Sequence, residues 1–180
     1  MRWQFIAARE LRAAKEQAIR ALLVATFPQH AALFSRQSYW GSPPTWRLCL
    51  QDGDEFVAHT GFGERRIRVG TTEVSIAGIG AVAVHPRMQR CGLGRALFAE
   101  LHRFLVEQIR VDSGFLECRE AIVPFYVSAG FTRFDQFVHC LDPDSGRWED
   151  SVGPKMVLPA YKPLTAWPAG ERIDLRGMPW

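Results

Sequence analysis

The stretch Val82-Ala83-Val84-His85-Pro86-Arg87-Met88-Gln89-Arg90-Cys91-Gly92-Leu93-Gly94-Arg95-Ala96 constrains this chain more than any other. An apolar strand-like run stops at a proline, which has no N–H to give to a central ladder. A loop follows and closes on Gly92-x-Gly94 at the head of a helical pattern, with Leu93, Ala96, Leu97, Leu101, Phe104 and Leu105 on one face. The head of a helix leaves backbone N–H groups unbonded and carries partial positive charge, so it suits a diphosphate. Glycine lets the backbone come close where a Cβ would collide. Arg87, Arg90 and Arg95 add cationic charge. No Gly-Lys-Ser/Thr follows, so this is not a Walker A loop, and the three glycines of a dinucleotide fingerprint are missing.

The rest of the chain supplies a sheet for this loop. Trp3 to Ala7 reads as a first strand. Leu11 to Thr26 is an amphipathic helix with Leu11, Ala14, Ala18, Leu22 and Ala25 at helical spacing, and Pro28 ends it. A short helix follows over Ala31 to Arg36. Then comes a meander: a strand over Trp46 to Gln51, a turn at Asp52-Gly53, and long strands over Glu55 to Val69 and Glu73 to Val84. The helix from Leu93 is expected to reach Ile109. A strand over Phe115 to Cys118, a helix over Ala121 to Ser128, a strand over Phe131 to Cys140 and one over Lys155 to Leu158 complete the pattern. This order predicts an α+β fold, a mixed and mostly antiparallel β-sheet flanked by helices. With 180 residues the chain is read as a single domain, with 159–180 as a C-terminal tail packed on it.

Composition narrows the function classes. The apolar and charged fractions, 47% and 23%, are those of a globular domain, and no apolar run approaches the roughly 20 residues of a membrane span. The start, Met1-Arg2-Trp3-Gln4-Phe5-Ile6, meets Arg9 and Glu10 too soon for a signal peptide. The four cysteines (Cys49, Cys91, Cys118, Cys140) form no Cys-x-x-Cys pair, so the expectation is reduced thiols and a cytoplasmic location. A net charge of +3 without a basic, aromatic-interleaved patch argues against nucleic acid and against an acidic membrane as partners. The histidines lack ligand spacing, so no metal is expected.

With the preceding strand and proline, Gln89-x-x-Gly92-x-Gly94 resembles the acetyl-CoA-binding motif of the GNAT acetyltransferases. Phe125-Tyr126 followed by Gly130-Phe131 resembles the family's second hallmark. Two branches are especially similar: the aminoglycoside 2′-N-acetyltransferases and the nodulation N-acyltransferases, which acylate chitooligosaccharide amines. Val57-Ala58-His59, Arg65-Arg66-Ile67-x-x-Gly70 and the endings Trp167-Pro168-x-Gly170-x-x-Ile173-Asp174 and Asp174-Leu175-Arg176-Gly177-Met178-Pro179-Trp180 carry that likeness. The first fifty residues show no such motif. The resemblance implies an acetyl-CoA-dependent N-acetyltransferase acting on a primary amine of a small molecule by direct transfer in a ternary complex. Two alternatives stay open: a longer-chain acyltransferase of the nodulation type, and a non-catalytic CoA-binding module.

The resemblance also distributes roles. Backbone groups of Val82, Ala83 and Val84 would pair with the pantetheine arm and polarise the thioester. The amides of Gln89, Arg90, Cys91, Gly92, Leu93, Gly94 and Arg95 would hold the pyrophosphate. Tyr126 would protonate the departing thiolate; its reference pKa of about 10 lies above a thiol's ~8.5, and a dry site permits the transfer. The strand glutamate of the aminoglycoside branch falls at Gly80 here, which leaves Glu117 as the substitute base and Glu73 and Glu120 as weaker ones. Asp174 and the α-carboxylate at Trp180 would accept the ammonium of the substrate. His59 reads more readily as a structural histidine. An exposed sheet edge admits a homodimer.

Overall fold

The computed structural model describes residues 1–180, which fold into two compact units: Met1–Gly63 with Ile79–Glu100 and Trp180, and Glu64–Gly78 with Leu101–Pro179. There are four α-helices, in the expected order, and ten strands, three more than the sequence reading expects. They are β1 (Arg2–Ala7), α1 (Ala13–Thr26), α2 (Ala31–Phe34), β2 (Trp46–Asp52), β3 (Glu55–Val69), β4 (Thr72–Val84), α3 (Leu93–Phe104), β5 (Ser113–Glu117), α4 (Val123–Ser128), β6 (Thr132–Phe134), β7 (Phe137–Leu141), β8 (Trp148–Ser151), β9 (Lys155–Pro159) and β10 (Arg172–Asp174). The strand order is β6-β9-β5-β4-β3-β10-β7-β8, with β2 paired to β3 and β1 to β2. Only the β4–β5 and β10–β7 ladders are parallel among the registers resolved. The fold class is therefore the α+β arrangement that the sequence predicts. No helix is long and apolar enough to cross a membrane.

In the first unit, β1, β2 and the first part of β3 form an antiparallel meander. Its core gathers Ile6, Ile19, Leu22, Leu23, Phe34, Cys49, Phe56 and Ala83. The buried face of α1 is thus Ile19, Leu22 and Leu23, whereas Ala14 and Ala25 of the expected stripe are exposed. The reason is area: Ile and Leu remove far more apolar surface from water than Ala, so they set the helix rotation. Burial also acts on chemistry here, since it pushes the Cys49 thiol up to about 12. A buried Arg47 ties the chain before β2 together. Its guanidinium donates to Ser38 Oγ (3.0 and 3.2 Å) and Pro44 O (3.1 Å), with Glu16 3.8 Å away.

The second unit contains three departures from the sequence reading. Helix α3 keeps α geometry only to Phe104. Leu105–Ile109 is one wide π turn closed by Arg110 N–H on Leu105 O (2.7 Å), with Arg110 left-handed at φ 59°. The single strand expected over Phe131 to Cys140 is two strands with different partners: β6 pairs with β9, and β7 with β8 and β10. The break falls at Asp135-Gln136, where two consecutive polar residues interrupt the apolar pattern and Arg133 Nε bonds Asp135 at 2.8 Å. The tail contributes β10, whose Ile173 is fully buried opposite Val69 on β3 and Val138 on β7. β8 and β10 are short, and neither shows the alternation that marks a strand in sequence.

Ile173 tests whether this tail is structural. Truncating a fully buried Ile typically costs about 2–5 kcal/mol. Ile173→Ala is expected to lower the unfolding free energy from urea denaturation by that amount. A loss under about 0.5 kcal/mol, the scale of a surface substitution, would mean that β10 is only loosely docked.

Candidate functional site

The decisive local feature is a kink in β4. Ala81 is left-handed (φ 49°), a conformation that costs a non-glycine residue about 1–2 kcal/mol. Two side chains of β3 hold the backbone there. His59 Nδ1 lies 2.9 Å from Ala81 O, and Thr60 Oγ1 donates to Gly80 O at 3.1 Å. His59 is wholly buried, and burial drives its pKa down to about 3, so the ring is neutral. A neutral ring facing a carbonyl carries its proton on Nδ1. Nε2 is then a buried lone pair without a partner. The ladder from β4 to β5 pairs Ile76, Ala77 and Gly78 with Ser113, Gly114 and Phe115. Val82, Ala83 and Val84 lie past the kink.

After Val84 the chain folds sharply. His85 N–H bonds Val57 O (2.9 Å), and Pro86–Met88 forms a 3₁₀ turn closed by Met88 N–H on His85 O (2.8 Å). Gln89 Nε2 reaches back to Val84 O at 3.0 Å, which fixes the loop against the end of the strand. Arg90 (φ 62°) and Gly92 (φ 86°) are left-handed, and a Cβ at Gly92 would meet nothing within 4 Å. The first helical bond is Ala96 N–H to Gly92 O (3.1 Å), so the amides of Leu93, Gly94 and Arg95 have no carbonyl one turn earlier within the helix. Arg87 pairs with Glu55, while Arg90 and Arg95 are exposed. Cys91 Sγ lies 2.7 Å from Met88 O, at the surface of the loop.

The side-chain place of Gly80 is taken. A Cβ there would overlap the carbonyl carbon of Trp180 and fall 2.8 Å from its oxygen, and a Cβ on Gly63 would fall 3.1 Å from Trp180 Nε1. Sequence reading noted only that position 80 lacks a carboxylate. Nothing local in the sequence signals that a residue a hundred positions later fills the space.

In the second unit, Tyr126 is 7% exposed on α4. The Phe-Tyr…Gly-Phe pattern has a geometric cause: Phe131 N–H bonds Tyr126 O (3.1 Å) across Gly130 at φ 94°. This is a Schellman stop, whose usual apolar contact is here the Tyr126–Phe131 ring pair at 5.3 Å. Burial, reinforced by Cys118, pushes the Tyr126 hydroxyl well above the ordinary phenol range, so it stays protonated as a donor. Glu117 accepts from Ser151 Oγ (2.5 Å) and sits 3.3 Å from Nζ of the fully buried Lys155. Asp174 accepts from Arg68 (3.2 Å) and from the Arg176 amide (2.9 Å). Glu73 pairs with Arg176, whose hydrogen bond lowers its pKa, and Glu120 pairs with Arg133. The loop residues and Trp180 thus share one unit, and Tyr126, Glu117 and Asp174 the other.

Comparison with known proteins agrees with this geometry. The sequence model of the nodulation protein A (NodA) family matches residues 1–179. The chain belongs to the nodulation protein A family. Nodulation protein A of Rhizobium leguminosarum bv. viciae is 25% identical over 193 residues, which covers 98% of this chain and 96% of that protein. An acyl-CoA N-acyltransferase from Pseudomonas aeruginosa has a similar structure, with a TM-score of 0.59 and 16% identity over 87% of this chain and 98% of the other. A GNAT-family acetyltransferase from Brucella melitensis, solved with acetyl-CoA, aligns with a TM-score of 0.51 and 20% identity over 73% and 83% of the two chains. The fold of this family member is that of the GNAT N-acyltransferases.

The histidine that holds the kink makes a prediction about acid. The His59 pKa lies below its unfolded value of about 6.5. Its contribution to stability is complete above pH ~6.5 and is lost as the pH falls toward about 3, with a slope up to about 1.4 kcal/mol per pH unit. In urea unfolding at pH 7.5, 6 and 5, His59→Gln should be less stable at neutral pH but flatter with acid than the wild type. Equal slopes would remove His59 as a source of acid lability.

Proposed function

We propose that the protein transfers an acyl group from a coenzyme A thioester to a primary amine of a small molecule, by direct transfer in a ternary complex, with acetyl-CoA as the donor. The observation that carries this reading is the left-handed loop that delivers the unbonded amides at the head of α3. A diphosphate fits it on three counts. The amides of Leu93, Gly94 and Arg95 are donors, the open side of Gly92 admits close approach, and exposed Arg90 and Arg95 supply charge. Gln89 and Cys91 hold the loop's shape through Val84 O and Met88 O. The backbone of Val82, Ala83 and Val84, beyond the kink, is the edge along which an extended pantetheine arm adds like a strand, and an amide there polarises the thioester carbonyl.

Tyr126 serves as the donor to the departing thiolate. The buried phenol remains protonated across the working pH range, so its O–H is always present. The amine's proton leaves to water in this reading, since Glu117 is engaged by Ser151 and Lys155. The whole chain is read as one catalytic domain with a C-terminal tail from residue 159.

A second reading, a longer acyl donor, is favoured by the nodulation protein A family match over residues 1–179. Release of free thiol from acetyl-CoA compared with long-chain acyl-CoA and acyl carrier protein, over a panel of amines that includes aminoglycosides and deacetylated chitooligosaccharides, separates the two. Binding of donor without turnover across that panel would favour a non-catalytic module.

Two substitutions test the machinery. Gly94→Glu adds bulk and negative charge at the amides, so acetyl-CoA binding by calorimetry should be lost while the circular dichroism spectrum stays native. Unchanged affinity would end the diphosphate reading. Tyr126→Phe should keep donor affinity and lower kcat about 10²-fold, the scale of losing one general acid. A wild-type kcat under conditions where chemistry limits the rate would make Tyr126 a packing residue of the Schellman stop.

A further inference from the structure

Lys155 is wholly buried, a rare state for a lysine unless it is paired. Its partner is Glu117, its direct neighbour across the β5–β9 ladder. Lys155 Nζ lies 3.3 Å from Glu117 Oε2 and donates to Ser151 O at 3.2 Å. Ser151 Oγ donates to the same Oε2 at 2.5 Å. One buried ammonium thus joins β5, β8 and β9. Stability alone does not explain it, since a buried ion pair is often no better than apolar side chains of similar volume. The acyl-transfer steps above leave it without a role. What it fixes is the end of β5. Cys118, the next residue, donates its N–H to Pro154 O at 3.2 Å, so the chain just before Lys155 holds the chain just after Glu117. Arg119 then opens a turn over Glu120–Ile122, closed by Ile122 N–H on Arg119 O (2.9 Å), and Val123 begins α4.

We propose that Lys155 is a positioning residue for Tyr126: through Glu117 it pins the end of β5, and so sets where the Tyr126 hydroxyl stands. The inference rests on the reading of Tyr126 as donor to the departing thiolate. Its physical basis is the length of α4. A helix of six residues is far below the ~12–15 that hold together alone in water, so its anchors decide its position. The rear anchor is the stop at Gly130, where Phe131 N–H bonds Tyr126 O. The front anchor is the end of β5 with its buried ion pair. Glu120 adds a pair with Arg133 of β6, but both side chains are exposed, so solvent weakens it. The buried pair is screened much less. Tyr126 stands close to this end, since the Cys118 thiol joins burial in keeping its phenol protonated. A general acid must lie within hydrogen-bond reach of the atom it protonates. A misplacement of ~1 Å costs up to about 10²-fold in rate.

The test is the rate of the chemical step in single turnover, read as thiol release from acetyl-CoA with tobramycin and with deacetylated chitotetraose as amine probes, alongside calorimetric acetyl-CoA affinity and thermal unfolding. Lys155→Met with Glu117→Leu replaces the ion pair by apolar groups, so this double variant is expected to fold and to bind donor as the wild type does. Its chemical step should slow about 10-fold, less than the about 10²-fold of Tyr126→Phe. Added to Tyr126→Phe, the same two changes should cost less than about twofold, since they act through the hydroxyl already removed. A proton-accepting Glu117, or a merely structural pair, lowers the rate by the same factor in both backgrounds. That result, or a native rate in the folded double variant, would overturn the proposal. Where the double variant fails to fold, Ser151→Ala takes its place. It removes one donor from Oε2 and should slow the step about threefold with Tyr126 present and not at all without it. A native rate in Ser151→Ala then overturns the proposal. So does a wild type that binds acetyl-CoA but acylates neither probe. A native rate in Tyr126→Phe alone defeats the acid reading and the proposal with it. A wild type that binds no acyl donor defeats the acyltransferase reading itself, and the calorimetry distinguishes that failure.

Discussion

The kink at Ala81 is the constraint on which the loop side of this protein depends. A regular strand alternates its side chains and its hydrogen-bonding edges without interruption. A left-handed residue breaks that alternation and re-aims the backbone that follows. The conformation is costly for alanine, and here it is held by two β3 side chains that bond the carbonyls of Gly80 and Ala81. Ala83 then packs into the core beside Ile19, Leu22 and Leu23, while Val82 and Val84 stay half-buried. The strained turn, the buried neutral imidazole and the apolar core are one arrangement. A charged His59 would have no counter-ion there, which is why burial keeps it neutral.

The loop that follows uses the same economy of parts. One glutamine side chain closes it onto the last strand carbonyl, one 3₁₀ turn reverses it, and two left-handed residues deliver the chain to α3. The first amides of that helix lack a helical acceptor because no residue precedes them in helical register. In the other unit the Phe-Tyr…Gly-Phe motif has its own structural logic. Gly130 lets the helix stop, and Phe131 folds back on Tyr126, so the phenol is placed by the same bond that ends the helix.

Much of the candidate site was legible in the sequence because its signals are local. Gln89-x-x-Gly92-x-Gly94 after Pro86, and Tyr126 before Gly130-Phe131, depend on turn geometry and helix ends, which a few consecutive residues dictate. The nodulation likeness in the sequence pointed to the family that matches residues 1–179. The rotation of α1 was misjudged for a local reason too: alanines counted equally with leucines, although they bury far less surface.

The sequence by itself determined the order of the helices and of most strands, the turn and loop between β4 and α3, and the helix stop at Gly130. These follow from hydrophobic period, proline and glycine, whose effects act within a turn or two of chain. Tertiary structure alone decided the rest. It split Phe131 to Cys140 into two strands with separate partners, and it recruited Arg172–Asp174 between β3 and β7. It committed Glu117 to Lys155, and it laid Trp180 on Gly80 and Gly63. Those outcomes depend on which distant residues compete for the same ladder, charge or void, and that competition is settled only when the chain has packed.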